Sequence, residues 1–119
     1  MIGIDLIKID RMERLISRFG DRGLAKFLSP EEMVLVKNHR TAAGFWAAKE
    51  ACAKALGCGI GGECAFHDIL ISKTPRGAPI LSLSSRVTSH FSITDTSLSI
   101  THDGEYAIAV VALEKAKSS

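Results

Sequence analysis

Residues 41–56 read TAAGFWAAKEACAKAL, and the glycine-rich run GCGIGG follows at residues 57–62. The first stretch contains seven alanines, one glycine and two large aromatics, a composition that favours a helix with many small side chains on its surface. Gly57 is placed to end this helix, because glycine readily takes the left-handed conformation that follows a helix C-terminus. We therefore predict a helix over residues 41–56 against which other elements can pack closely.

The sequence before this helix predicts one strand and two further helices. Apolar residues alternate at positions 2, 4 and 6, which is the two-residue period of a β-strand. From Ile9 the period changes to that of an amphipathic helix, which Gly20 is placed to end. Ser29-Pro30-Glu31-Glu32 supplies an N-cap, a proline at the first helical position and acidic residues in the first turn, so another helix is predicted over 30–37.

The sequence after the central helix predicts β-structure. Residues 66–71 are rich in strand formers, and a turn at 75–79 leads to a second strand at 80–83. Two more strands, 97–102 and 106–111, flank Asp103-Gly104, which is a strong signal for a two-residue hairpin. Helices dominate the first half and strands the second. This order predicts one α+β domain over residues 1–119, with helices packed on a mainly antiparallel sheet.

Composition and charge exclude several classes of protein. The chain is 46% hydrophobic and 24% charged, as is ordinary for a globular protein. It has no run of about 18 apolar residues, and Asp5 interrupts the start where a signal peptide would be apolar, so we expect no membrane insertion and a cytoplasmic location. Cys52, Cys58 and Cys64 are spaced as neither a disulfide framework nor a zinc site, which indicates reduced thiols. One tryptophan, one tyrosine and a net charge of +2 argue against nucleic-acid binding.

Two carboxylates stand out because their surroundings are apolar. Asp5 lies within the first predicted strand, where aspartate is depleted. Glu50 lies in the middle of the alanine-rich helix, and Lys54, one turn further, is its one polar neighbour on the same face. Each has an ordinary alternative: Asp5 as a water-facing residue of an edge strand, and Glu50 as half of a solvated pair with Lys54. Position alone leaves Asp5 open between the two interpretations and favours the solvated pair for Glu50.

The glycine run and His102 are weaker signals. The glycines at 57–62 follow a helix, whereas dinucleotide and P-loop glycines follow a strand and open a helix, which excludes those two motifs. A helix C-terminus repels anions, so phosphate binding here would depend on cations such as Lys54 and on free backbone amides. His102 precedes the predicted hairpin turn, where an exposed strand-end histidine is the default interpretation.

The chain contains, in this order, the segments GIDLIKIDRME at 3–13, FWAAKEACAKALGCGIG at 45–61 and SITHDGEYAIAVV at 99–111. Together they resemble the holo-[acyl-carrier-protein] synthase family of 4'-phosphopantetheinyl transferases, and the resemblance covers nearly the whole chain. Shorter segments correspond as well: LSPEE at 28–32, FHDILI at 66–71 and GAP at 77–79. The resemblance implies transfer of 4'-phosphopantetheine from coenzyme A to a serine of apo-acyl carrier protein, in support of fatty acid biosynthesis.

The resemblance also implies the residues of the site. Asp5 and Glu50 are the expected ligands of Mg²⁺, and their oxygens suit that hard cation. Lys54 is the expected second cation, so that Asp5, Glu50 and Lys54 form the catalytic set. The group that removes the serine proton stays open between a water on the metal, Glu50 and Asp5. The implied contacts to coenzyme A are Lys54, Gly57, Gly59, Gly61, Pro79, Thr101 and His102.

The partners implied by the resemblance are two further copies of the chain and an acidic carrier protein. In the family the enzyme is a homotrimer, with the active site between neighbouring subunits. Arg11, Arg14 and Arg18 lie on a different side of the predicted first helix from its apolar residues. Asp10 and Glu13 point away from these arginines, so we expect an arginine stripe that local acids do not neutralise and that binds apo-acyl carrier protein.

Two cationic positions of the family are missing. Phe45 stands where many relatives have arginine, and Ala78 replaces the lysine of the G-K-P segment, which leaves Arg40, Lys73 and Arg76 as candidates to replace the lost charge.

Two functions of other classes also fit parts of the sequence. One is a trimeric module that only binds a carrier protein or a nucleotide, and the other is a different magnesium-dependent enzyme acting on nucleotides. The retention of both carboxylates argues against the first, and the arginine stripe against the second.

Overall fold

Five helices and five strands form the fold of residues 1–117, the part of the chain that the structure, a computed structural model, describes. In chain order they are β1 (Ile2–Lys8), α1 (Ile9–Phe19), α2 (Asp21–Ala25), α3 (Pro30–Leu35), α4 (His39–Leu56), β2 (Ile69–Lys73), β3 (Pro79–Leu83), α5 (Ser85–Phe91), β4 (Ile93–Asp103) and β5 (Tyr106–Lys115). A single 3₁₀ turn, Phe66–Asp68, precedes β2.

The strands form two antiparallel groups. The central sheet has the order β1-β5-β4, and β2 pairs with β3 in a separate hairpin. In the central sheet Asp5 of β1 lies opposite Ala109, and His102 of β4 lies opposite Ala107. Helices packed on antiparallel strands confirm the predicted α+β class.

Helix α4 packs directly on the central sheet, and small residues make this close approach possible. A Cβ atom added to Gly3 would lie only 1.9 Å from the carbonyl oxygen of Ala51, so β1 and α4 touch backbone to backbone at this point. Asn38 caps the helix by accepting hydrogen bonds from the amides of Arg40 and Thr41, so α4 begins two residues before the predicted start. Gly57, with φ 80°, ends it as predicted.

The two faces of the central sheet differ. Alternate residues of β1 and β5 face α4 and are buried: Gly3, Ile7, Ala107, Ala109 and Val111. The opposite face, which we call the outer face, includes Ile2, Ile4, Leu6 and Val110, whose exposed fractions are 74, 58, 55 and 38%. The alternation at positions 2, 4 and 6 therefore predicted the strand, while its apolar side chains point away from the core and Asp5 points inward. Contiguous exposed apolar surface of this kind is typical of an interaction face.

Lys49 and Glu32 form a buried ion pair that fixes α4 in place. The Lys49 ammonium donates to Glu32 Oε1 at 2.8 Å and to the carbonyl oxygens of Phe27 and Phe66 at 2.7 and 3.1 Å. Glu32 Oε2 accepts a 2.8 Å hydrogen bond from the amide of Ile71. Burial lowers the pKa of Lys49 and the carboxylate of Glu32 opposes this effect. The Lys49 ammonium ties α4 to α3 and to the backbone at Phe27 and Phe66, and the Glu32 carboxylate ties the pair to β2.

The N-terminal half of the structure differs from the predicted elements at two points. Helix α3 starts at the capping box of Ser29 and Glu32 as predicted but ends at Leu35, two residues early. The five-residue helix α2 was not predicted, because it contains Gly23 and is too short to show a helical period.

The C-terminal half differs at several points, two of which are strand bounds: β4 begins at Ile93, four residues before the predicted start, and β5 ends at Lys115, four residues beyond the predicted end. Residues 66–68 form a 3₁₀ turn instead of the start of a strand, because Asp68 accepts a hydrogen bond from the amide of Ala65. The last hairpin has Gly104 and Glu105 as its loop, since Asp103 still pairs with Tyr106. Helix α5 was not predicted, because its serines, threonine and valine have low helix propensity.

Candidate active site

Asp5 and Lys54 form the first contact of the predicted site. Asp5 projects from β1 toward α4, and its side chain is only 14% exposed. The ammonium of Lys54 donates to Asp5 Oδ1 at 2.8 Å and to the carbonyl oxygen of Ile4 at 3.2 Å. The interpretation of Asp5 as a water-facing residue is therefore wrong, and the ion pair of Lys54 is with Asp5 instead of Glu50.

Glu50 lies one turn before Lys54 on α4 and is half-buried. Burial raises the pKa of its carboxyl group, and the negative charge of Asp5 raises it further. The positive charges of Lys54 and Arg11 act in the opposite direction. Two carboxylates thus lie close enough to repel each other at a point where the chain also supplies two cations. We call Asp5, Glu50 and Lys54 the charged end of α4.

The chemistry of these donors fits the magnesium ion that the resemblance implies. Asp5 and Glu50 offer only oxygen atoms, which Mg²⁺ prefers, and a bound cation would relieve the repulsion between them. Residues 1–117 contain no cluster of three or more His, Cys, Asp or Glu side chains able to hold a metal. A magnesium ion at this point would therefore take its other ligands from water and from substrate phosphate, as Mg²⁺ commonly does.

The glycine run after α4 is open surface, but the amides of Gly57, Gly59 and Gly61 already donate hydrogen bonds within the chain. The amide of Gly57 donates to the carbonyl oxygen of Lys54, that of Gly59 to Ala53 and that of Gly61 to Cys64. A Cβ atom added to any of these three glycines would meet no other atom within 4 Å. The expectation of free amides for phosphate is therefore wrong for Gly57, Gly59 and Gly61, and Lys54 is the donor that this end of α4 provides.

Pro79 and His102 lie elsewhere, at a cavity of about 150 Å³ that we call the α4–β4 cavity. His102 is half-buried, and its Nε2 donates a 2.8 Å hydrogen bond to the carbonyl oxygen of Arg40. Its interpretation as an exposed strand-end histidine is therefore wrong. The cavity is lined by Thr41, Gly44, Phe45, Lys73, Gly77, Pro79, Ile100 and His102.

A single chain does not bring all the predicted residues together. Gly44, at the α4–β4 cavity, and Lys54, at the charged end, are separated by ten residues of α4, which corresponds to about 15 Å along the helix. Thr101 is exposed on the outer face of the central sheet, while the neighbouring His102 faces inward. The predicted contacts to coenzyme A therefore occupy three separate places on one chain.

The arginines of α1 also differ from one another. Arg14 pairs with Asp10 at 3.6 Å, with both side chains largely exposed, so the expectation that local acids leave the stripe unpaired is wrong at this position. Arg18 lies over the ring of Phe19 at 5.2 Å from the ring centroid. Arg11 lies close enough to Glu50 to influence its pKa. The stripe thus extends from the charged end along α1.

Sequence reasoning did not single out Thr41, Gly44 and Ile100, which line the α4–β4 cavity. Thr41, Gly44 and Phe45 have the i, i+3, i+4 spacing of one helix face, and Ile100 shares a strand face with His102. The helical spacing in α4 and the two-residue spacing in β4 are the sequence signals from which these lining residues could have been predicted. Only the fold shows that the two faces meet.

Burial disfavours the thiolate form of all three cysteines. All three are free thiols, as predicted. Burial raises the pKa of Cys52 to about 12 and that of Cys64 to about 11, so neither is ionised near neutral pH.

Comparison with known proteins gives one consistent family. Residues 1–111 match the 4'-phosphopantetheinyl transferase superfamily. The chain is 62% identical to the holo-[acyl-carrier-protein] synthase of Sulfurimonas denitrificans over 114 residues, which covers 96% of this chain and 94% of that protein. It is 58% identical to the holo-[acyl-carrier-protein] synthase of Wolinella succinogenes over 118 residues, which covers 99% of this chain and 100% of that protein.

A solved structure agrees with these sequence matches. The crystal structure of Helicobacter pylori holo-[acyl-carrier-protein] synthase in complex with coenzyme A superposes with a TM-score of 0.93 at 49% identity, covering 96% of this chain and 100% of that chain. The chain therefore belongs to the 4'-phosphopantetheinyl transferase superfamily and, within it, to the family of holo-[acyl-carrier-protein] synthases. None of the helices in residues 1–117 is long and apolar enough to cross a membrane.

Proposed function

We propose that this chain transfers the 4'-phosphopantetheine group from coenzyme A to a serine hydroxyl of apo-acyl carrier protein, and so supports fatty acid biosynthesis. The observation that supports this best is the charged end of α4, where Lys54 contacts Asp5 beside Glu50 in a chain of this family. The similar Helicobacter pylori protein forms a complex with coenzyme A, which supports the same donor here.

The reaction needs little covalent chemistry from the protein. The serine hydroxyl loses its proton to a base, its oxygen forms a bond to the phosphorus next to pantetheine, and the bond from that phosphorus to the bridging oxygen breaks, releasing adenosine 3',5'-bisphosphate. Negative charge grows on the leaving phosphate, and a positioned ammonium group offsets it. Lys54 is suited to this role, because its side chain is 53% exposed and only one carboxylate, that of Asp5, contacts it within residues 1–117.

We further propose that the activity depends on magnesium held by Asp5 and Glu50. When bound, this ion supplies positive charge to the phosphate oxygens. The oxygen-only donor set and the mutual repulsion of the two carboxylates support the assignment. Lys54 holds Asp5 in position by its 2.8 Å contact, and Arg11 adds positive potential at Glu50.

A homotrimer is the proposed assembly. Support comes from the outer face of the central sheet, where Ile2, Ile4, Leu6 and Val110 are exposed. Further support comes from the separation of the charged end from the α4–β4 cavity on one chain. We propose that the charged end of one subunit faces the α4–β4 cavity of its neighbour, so that a complete site forms only between subunits.

The carrier protein is proposed to dock on α1. Arg18 and Arg11 provide positive charge along the helix toward the charged end, and Arg14 adds to it when its exposed pair with Asp10 opens. We also propose a cytoplasmic location, which the three free thiols support.

Intact mass measurement of the carrier tests the proposed function. The chain is incubated with coenzyme A, Mg²⁺ and apo-acyl carrier protein, and the mass of the carrier should rise by one phosphopantetheine group. A carrier variant with alanine at the acceptor serine should keep its mass. An unchanged mass of the normal carrier, under conditions in which a relative of the family modifies it, would contradict the proposal.

A further inference from the structure

Helix α5 contacts the end of the glycine run at two adjacent residues. Arg86 Nη1 donates a 2.9 Å hydrogen bond to the carbonyl oxygen of Gly62, and His90 Nε2 lies 3.1 Å from Glu63 Oε2. Arg86 and His90 are four residues apart on α5, so their side chains lie on one face of the helix. This face of α5 is therefore directed at the end of the glycine run.

Arg86 is itself held in one orientation. Its Nε donates to Asp68 Oδ1 at 3.0 Å, and its Nη2 pairs with Asp68 Oδ2. Asp68 is fixed in turn, because it accepts hydrogen bonds from the hydroxyl of Ser84 at 2.7 Å and from the amide of Ala65 at 2.8 Å. Two hydrogen bonds between one guanidinium and one carboxylate set the direction of the guanidinium. The contact with Gly62 therefore comes from a group that the fold keeps in place.

The other end of the glycine run is attached to the last turn of α4. The amide of Gly57 donates to the carbonyl oxygen of Lys54 at 3.0 Å, and the amides of Cys58 and Gly59 both donate to that of Ala53 at 3.3 Å. Lys54 belongs to the charged end, so the run begins within one turn of a residue of the proposed site. The run is thus anchored at its start by the turn that carries Lys54 and at its end by Arg86.

Few contacts hold the run between these two anchors. Residues 59–62 read GIGG, so Ile60 alone carries a side chain, and it packs at the edge of the core. The amide of Gly61 donates to the carbonyl oxygen of Cys64. Within residues 1–117, a Cβ atom added to any of these three glycines would meet no atom of a more distant residue within 4 Å. Because glycine has the greatest backbone freedom, the contact from Arg86 is needed to keep this part of the run in one conformation.

We propose that Arg86 is a positioning residue for the transfer reaction: it fixes the glycine run beside Lys54, so that the run forms a preordered wall for bound coenzyme A. The assignment rests on the proposed function. Without Arg86 the run would lose one anchor, and part of the binding free energy of coenzyme A would be used to order it. Arg86 acts through the backbone of Gly62 and not on the reacting groups, so its loss should weaken binding more than it slows the chemical step.

The test measures the steady-state constants of full-chain variants. Arg86→Met removes all the contacts of the guanidinium. Arg86→Lys keeps a positive charge beside Asp68 and so protects the fold, but one ammonium cannot reproduce the fork that reaches Asp68 and Gly62 together. Ser84→Ala is the matched structural control, because it removes the hydroxyl that donates to Asp68 and leaves the contact between Arg86 and Gly62 in place.

Gly62→Ala is the rescue substitution. Gly62 does not have a left-handed backbone, and an added Cβ atom has open space there. Alanine therefore fits without strain and reduces the freedom of the backbone, which is the effect proposed for Arg86. Adding Gly62→Ala to Arg86→Met should recover part of the lost affinity for coenzyme A.

In the assay based on the mass of the carrier, the KM for coenzyme A should rise about five- to ten-fold in Arg86→Met and in Arg86→Lys, the scale of ordering one backbone residue. The kcat and the KM for the carrier should stay within about two-fold of normal, and Ser84→Ala should change none of the three. Circular dichroism at the assay temperature checks that each variant is folded.

Three results would overturn the role of Arg86 while the unsubstituted chain still modifies the carrier. They are an unchanged KM for coenzyme A in both Arg86 variants, an equal rise in Ser84→Ala, and a rise in Arg86→Met that Gly62→Ala does not reduce. Failure of the unsubstituted chain in the carrier assay would overturn the proposed function and this assignment together.

Discussion

The two ends of α4 differ in the kind of group they present. The charged end has two carboxylates and a lysine in mutual contact or close range, and the first of these, Asp5, comes from β1. The α4–β4 cavity has one lysine, one histidine and an aromatic wall, and its eight lining residues include no carboxylate. The first arrangement suits bond breaking at a phosphate with a cation. The second suits the binding of a group that does not react.

The middle of α4 explains how the helix keeps these ends apart. Lys49, next to Glu50 in sequence, is fully buried and donates to three oxygens, so it locks the helix against its neighbours. Lys54 is half exposed and contacts the oxygens of Asp5 and Ile4. Two lysines on one helix thus differ in their surroundings: Lys49 supports the fold, and the exposed Lys54 is available for the proposed contact with substrate.

Glu50→Gln should have the largest effect on chemistry, because it removes one of the two carboxylates at the charged end and keeps the side-chain volume. We expect transfer to the carrier to fall by about 1,000-fold at saturating Mg²⁺, with binding of the carrier retained. Intact mass of the carrier over time gives the rate, and circular dichroism checks the fold. Near-normal turnover of a folded Glu50→Gln variant would contradict the proposed role of the charged end in the reaction.

Substitutions in the outer face should dissociate the proposed trimer and so separate the charged end of one chain from the α4–β4 cavity of its neighbour. Ile4→Asp with Val110→Asp places charges in the exposed apolar face, so light scattering should show the mass of one chain, and transfer should be lost. Val34→Asp is the matched control, because Val34 is 85% exposed on α3, away from this face. A monomer of the double variant that retains full activity would show that one chain holds a complete site.

Lys49→Met and Lys54→Met make the same change at the two lysines of α4. Lys49→Met should lower the free energy of unfolding by about 3–5 kcal/mol, because it leaves the buried carboxylate of Glu32 without its cation. Lys54→Met should cost less than about 1 kcal/mol of stability and should still impair transfer. Urea unfolding and the mass assay measure the two effects, and equal losses of stability would contradict the division of roles.

Arg14→Glu with Arg18→Glu tests docking without disturbing Arg11, which lies near Glu50. The KM for acyl carrier protein should rise about ten-fold and lose most of its salt dependence, while the KM for coenzyme A stays nearly constant. Arg76→Glu with Lys115→Glu changes the net charge equally at two exposed positions outside α1 and serves as the control. A similar rise in both double variants would mean that net charge, and not α1, governs the encounter.

Asp68 supports the glycine run after α4 through its pair with Arg86. Arg86 pairs with Asp68 and also donates to the carbonyl oxygen of Gly62 at 2.9 Å. These contacts lower the pKa of Asp68 from 3.8 to about 2, so the folded state binds this proton less readily than the unfolded state. The stabilisation is present above about pH 4 and disappears as the pH falls toward about 2.

Asp68→Asn should therefore lower the free energy of unfolding by about 2 kcal/mol at neutral pH and by less at pH 3. Unfolding in urea at the two pH values measures the difference. A loss that is the same at both values would show that the charge of Asp68 does not provide the stabilisation.

Local signals in the sequence predicted the elements that depend on local interactions. The capping box at Ser29, the alanine-rich helix ended by Gly57 and the last hairpin were found because neighbouring residues determine them. Features that depend on contacts distant in sequence were not. The direction in which Asp5 points, its pairing with Lys54 and the meeting of α4 with the end of β4 each require the tertiary fold.

The family resemblance supplied what spacing left open, namely that Asp5 and Glu50 belong to one site. The structure places both of them next to Lys54 and separates them from Pro79 and His102. The sequence could not show this separation. Family motifs indicate which residues belong to a site, but they do not indicate whether those residues come from one chain or from two copies of it. The proposed trimer would give a physical reason for such a division.

Subunit complementation tests most directly whether a complete site needs the charged end of one chain and the α4–β4 cavity of its neighbour. Glu50→Gln and His102→Ala chains are unfolded together, refolded at equal amounts and assayed at low coenzyme A concentration by intact mass of the carrier. Random mixing in a ring should pair an intact charged end with an intact cavity in about a quarter of the sites, so activity should recover to roughly that fraction of normal. If the mixture, shown by mass to contain both chains, is no more active than the average of the two variants alone, the account of a shared site is contradicted.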